Sequence, residues 1–126
     1  MIVSEFAYLC SVMEGFGKPG AIPTVRNNPM DLKHSPHSSH EGIGPDDIGI
    51  IDTIEHGWGD ADRQAQLWAE RGLNLQQAIE EQTGWTPQGD VEGNNTEEYL
   101  SYVSVGLGMG PKAPMTTVLQ ITHDLG

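Results

Sequence analysis

The sequence predicts a mainly helical α+β domain with about five helices and at most a short β element. Three observations predict it. Apolar residues recur every three to four positions in several segments, and that is the period of a helix face. Most of those segments open on a capping residue and close on glycine. Only one short run, Ile48-Gly49-Ile50-Ile51, reads as a strand or extended edge. The 126 residues suit a single domain over 1–126 with one core, and 37% of them are hydrophobic.

The first helix is predicted over 2–14. Ile2, Phe6, Leu9 and Met13 step by four, three and four, with Val3, Ala7 and Cys10 beside them, and Gly15 stops the helix. Segment 15–49 is rich in Gly and Pro, including Gly42, Gly44 and Pro45. A segment this long without regular structure is expected to be functional and to line a cleft. Thr53 caps a second helix whose face is Ile54, Trp58, Ala61, Ala65 and Trp68, ending at Gly72. Asn74 caps a third, with Gln77 completing a capping box, Leu75, Ala78 and Ile79 facing inward, and Gly84 as the stop. Residues 85–95 read as a polar loop. Thr96 caps a fourth helix with Leu100, Val103 and Leu107 inside, and a last short helix follows over 115–120.

Six Lys and Arg against eighteen Asp and Glu give a formal charge of −12. Nucleic acid is excluded as a partner, because phosphate contacts need clustered basic residues. The same charge predicts weak attraction to an anionic wall or membrane. No run approaches the ~18 apolar residues of a membrane span, and the N-terminal residues lack the basic region and cleavage site of a signal peptide. Cys10 stands alone, so neither an internal disulfide nor a Cys-based zinc site can form; it reads as a small buried hydrophobe.

Glu14 follows Cys10 by four and Ala7 by seven, so it continues the apolar stripe rather than the wet face. It also falls in the last helical turn, where the helix dipole is negative. Both effects disfavour the carboxylate and predict a raised pKa, as a general acid needs. By position alone, a structural glutamate bonded to a nearby amide is the commoner outcome. His34, His37 and His40 are evenly spaced, but Pro36 argues against the helix that would converge them, so no metal site is predicted. Trp58 and Trp68 read as core. Trp85 could stack on a sugar ring or pack over the third helix.

Several runs together resemble the lysozyme-like proteins of phages and prophages. They are Met13-Glu14-Gly15-Phe16, Ile22-Pro23, and Arg26-Asn27-Asn28-Pro29-Met30-Asp31-Leu32. Ile51-Asp52-Thr53, Gly57-Trp58, Gln66-Leu67-Trp68 and Asn94-Asn95-Thr96 with Tyr99-Leu100 follow in order. The resemblance spans roughly residues 6–119 and departs at Met30, where glycine is usual. It implies a lysozyme-like fold and cleavage of the β-1,4 MurNAc–GlcNAc backbone of peptidoglycan, by a muramidase or lytic transglycosylase. It implies Glu14 as the catalytic acid, Asn27, Asn28 and Asp31 in an Asn-rich loop facing it, and Thr53 and Tyr99 at cleft positions that touch sugar. No cofactor is implied. The expected site of action is the cell wall, for a phage-derived or virion-associated protein made in the cytoplasm.

A two-carboxylate mechanism needs a partner for Glu14. Asp31, Asp46, Asp47 and Asp52 are candidates, and Asp31 and Asp52 lead because they adjoin the resembling runs. Without a partner, Glu14 can act as acid and then base while the muramic 6-hydroxyl closes an anhydro ring. The competing expectation is a non-catalytic glycan-binding or phage structural module that keeps the fold.

Overall fold

The structure is a computed structural model that describes residues 1–40, 46–91 and 93–126. Gly42, Gly44 and Pro45 of the glycine- and proline-rich segment lie outside the described residues. The fold is mainly helical, as the sequence predicts: of the described residues, 47% are in helices and 13% in strands. In chain order it runs β1 (Ile2–Ser4), α1 (Glu5–Glu14), α2 (Ile22–Val25), β2 (Ser38–Ser39), β3 (Ile50–Ile51) and α3 (Ile54–Glu70). Then come α4 (Leu75–Thr83), β4 (Trp85–Thr86), β5 (Gly89–Asp90), α5 (Thr96–Leu107), α6 (Met115–Val118) and β6 (Thr122–Asp124).

The strands form three two-stranded antiparallel pairs, β1 with β6, β2 with β3 and β4 with β5. This is more β structure than expected. The first helix starts at Glu5, because Ile2, Val3 and Ser4 pair with Asp124, His123 and Thr122. Ile2, placed by its spacing on the apolar stripe, is 58% exposed. Ser4 caps α1 instead: its hydroxyl accepts from the Ala7 amide and donates to Asp62 Oδ1 on α3. The expected polar loop after α4 contains the β4–β5 hairpin. Asn95 rather than Thr96 caps α5 by accepting from the Glu98 amide. The Thr96 hydroxyl is turned to Asp90 and Thr83, fastening the hairpin to both helices.

Four further caps are where the sequence predicts them. Thr53 accepts from the His56 amide, Asn74 and Gln77 exchange both bonds of a capping box, and Gly15 and Gly84 close α1 and α4 in the left-handed conformation. One buried cluster joins Phe6, Cys10, Trp58, Trp68, Leu75, Ile79, Val103 and Met115 from α1, α3, α4, α5 and α6. Trp68 meets Phe6 edge-on, and Trp58 meets Phe16 in the same way. Burial of such aromatic side chains dominates the stability of a core.

Loop 26–32 is pinned across the start of α3. The Asn27 carbonyl lies so close to Gly57 that a Cβ there would sit 2.0 Å from it. Only glycine permits that approach. No helix of the described residues is long and apolar enough to cross a membrane.

Candidate functional site

A cleft of about 370 Å³ opens between the end of α1, the loop after Met30, the last turns of α3 and the end of α4. Glu14 lines it from α1. Asp31, Leu32, Lys33 and His34 line it from the loop, Trp68 and Arg71 from the end of α3, and Gln82 from α4. The cleft carries Lys33 and Arg71, two of the chain's six Lys and Arg, and His34 beside them. An excess of negative charge elsewhere thus gives way to a mixed charge distribution here. Arg71 bonds Glu81, another lining residue, at 3.0 Å.

Glu14 occupies this position because Gly15 ends α1 with φ +86°, turning the chain away just after the carboxylate. Its Oε2 accepts a hydrogen bond from the Tyr99 hydroxyl at 2.8 Å and from Gln82 Nε2 at 3.1 Å. Two donors on one oxygen favour the carboxylate form and oppose the influence of the helix end. Tyr99 is 5% exposed on α5, and burial, then the nearby Cys10 and Glu14, push its phenol well above the usual range. It therefore remains a donor. Its hydroxyl also reaches the Cys10 carbonyl at 3.3 Å. Tyr99 thus stands behind Glu14 and holds it, rather than lying open to a ligand.

Asn28 is fully buried. Its Nδ2 donates to the Leu32 and Gly49 carbonyls at 2.8 and 2.9 Å, and its Oδ1 accepts from the Leu32 amide at 2.9 Å. With its polar atoms spent on backbone, it shapes the loop and has no face toward the cleft. Asn27 does related work: its Nδ2 donates to the Ile51 carbonyl at 3.1 Å. The left-handed residues of the loop are Asn27 and Asp31, with φ of 52° and 58°, residue types that tolerate that conformation. Met30, where the resemblance leads one to expect glycine, does not adopt such a φ. Its side chain is fully buried in the core and leaves the cleft unobstructed.

Of the four candidate partner carboxylates, Asp31 shares the cleft with Glu14. Asp46 is taken by Arg26 at 3.0 Å, and that hydrogen bond, with the Ile48 amide, holds its carboxyl below the ordinary value. Asp52 bonds His56 Nδ1 at 2.7 Å on an exposed surface, which lowers its carboxyl in turn. Neither Asp52 nor Thr53, whose hydroxyl caps α3, lines the cleft.

The three histidines go separate ways. His34 reaches the cleft. His37 bonds Asp60 at 2.7 Å and stacks on His56, with ring centroids 3.8 Å apart. His40 lies 3.6 Å from Asp46. Among the described residues no group of three His, Cys, Asp or Glu is placed to hold a metal ion. Cys10 is fully buried and burial pushes its thiol far up, so it is no nucleophile. Trp58 and Trp68 are core, whereas Trp85 is 39% exposed and borders a second cavity of about 260 Å³ between α4 and α5.

Gln82, like Lys33 and Arg71, lines the cleft without having been singled out by the sequence. Its signal was present: it falls seven residues after Leu75, four after Ala78 and three after Ile79, so it continues the apolar face of α4. That is the pattern that singles out Glu14, a polar side chain on the inner stripe of a last turn. Set against protein-family models, curated proteins and solved structures, the chain matches none.

Proposed function

We propose that the cleft cleaves the β-1,4 MurNAc–GlcNAc backbone of peptidoglycan, with Glu14 as general acid on a lysozyme-like fold. One observation carries the reading: a carboxylate held by Tyr99 and Gln82 lines an open cleft at the end of a core helix. A glycosidic bond breaks when an acid protonates the leaving oxygen as positive charge develops on the sugar ring. Glu14 supplies the proton. Asp31, in the same cleft, is the candidate to activate water or to stabilise the ring. In the transglycosylase route Glu14 alone serves, first as acid and then as base toward the muramic 6-hydroxyl. Lys33 and Arg71 suit a strand that carries carboxylates. The proposed setting is the cell wall, as a phage-derived or virion-associated protein.

The donors on Glu14 Oε2 also favour a second reading, a glycan-binding or phage structural module in which Glu14 is a fixed anion. Mass spectrometry of purified sacculi after incubation separates the two. Reducing ends mark hydrolysis, anhydro ends mark transglycosylation, and bound protein without new ends supports the binding module. In the catalytic reading, Glu14→Gln retains the fold and loses the new ends; release that persists in this variant removes Glu14 from the reaction.

A further inference from the structure

We propose that Gln82 is a positioning residue for Glu14, and that its side-chain amide ties the acid to the loop carrying Asp31. Gln82 Nε2 donates one hydrogen to Glu14 Oε2 at 3.1 Å and the other to the Met30 carbonyl at 2.6 Å. Both acceptors are oxygens, so only the nitrogen side of the amide can face them, and its orientation is fixed. The three groups come from three places: the end of α1, the end of α4 and loop 26–32. The adjoining residue of that loop, Asp31, lines the cleft.

The amide thus does two things at once. It fixes the rotamer of Glu14 and sets the height of the loop opposite. It also donates a hydrogen bond that favours the charged form of Glu14, so its removal makes Glu14 easier to protonate. Among the described residues, the other ionisable groups around Glu14 are Tyr99 and Cys10 behind it, and Asp31, Lys33 and His34 from the loop. Arg71 from α3 and Glu81 from α4 complete the cleft.

The catalytic half of this inference rests on the proposed glycan cleavage, whereas the structural half does not. Two readouts on the full chain keep them apart. In Gln82→Leu, NMR titration of the Glu14 side-chain carboxyl should show its midpoint move up by about one unit, the weight of one hydrogen bond to a charge. Gln82→Glu should move it further, by adding a like charge. In parallel, Gln82→Leu should lower kcat for release of ends from sacculi by about tenfold or more, with KM nearly unchanged. The limb of the pH–rate profile that reports the acid should shift with the NMR midpoint. A shifted midpoint in a protein that cleaves nothing upholds the positioning and sinks the cleavage. Cleavage with an unmoved midpoint and wild-type kcat in Gln82→Leu overturns the inference.

Discussion

Two carboxylates of this chain are each held by side-chain donors, and they come to different ends. Asp60, on α3, takes the His37 amide at 3.0 Å on Oδ2 and the His37 ring at 2.7 Å on Oδ1. It is 3% exposed, so its charge is spent inside the protein. Burial raises its carboxyl, but hydrogen bonds from His37 and Ser35 outweigh that and bring it below the ordinary value. Glu14 also has two donors, yet it keeps a face on a cleft. Partners alone therefore do not separate a structural acid from a candidate catalytic one. The difference is access: Asp60 clamps a turn inside the protein, whereas Glu14 lines a cleft.

The sharpest way to break that comparison is Glu14→Gln. Under the proposed cleavage, loss of the general acid should cost about 10²–10⁴ in rate, while melting should remain close to wild type because amide and carboxylate have the same shape. Next in size is Asn28→Ala. It strips three hydrogen bonds from buried backbone groups and should cost about 3 kcal/mol in chemical denaturation. A stable variant would show that loop 26–32 is held by something else.

Asp60→Asn should be milder, about 1–3 kcal/mol from hydrogen bonds lost in a buried place, and should spare cleavage. Its pH dependence has a definite sign. A carboxyl whose folded value is depressed stabilises the fold above its unfolded value of about 3.9, and that contribution fades as pH falls through the folded value. The gap between wild type and Asp60→Asn should be level near neutrality and narrow in acid. A gap that widens in acid would refute the depressed carboxyl. The smallest effect belongs to Asp52→Asn, whose exposed pairing with His56 is screened by water. Cleavage of sacculi should be unchanged. A marked loss would return Asp52 to the site and set aside Asp31.

Much of the frame was legible in the chain. Thr53, Asn74 with Gln77, Gly15 and Gly84 mark helix ends because caps act within three or four residues of themselves. The phase of Glu14 along α1 put it on the inner stripe for the same reason: helical geometry is local. What lay beyond reach needed a partner distant in sequence. Ile2–Ser4 reads as helix until Thr122–Asp124 supplies the other strand. Asn28 reads as a ligand-facing polar residue until Leu32 and Gly49 claim its amide. Asp31 and Asp52 are equal in the sequence, and only the cleft parts them.

The sequence by itself therefore determined a mainly helical domain, its helix ends and the inward phase of Glu14, because periodicity and capping are written in neighbouring residues. The tertiary structure decided which polar groups share a space. It set Tyr99 and Gln82 on Glu14 across 85 and 68 residues of chain, since hydrogen bonds form between groups that packing brings together, whatever their separation in sequence.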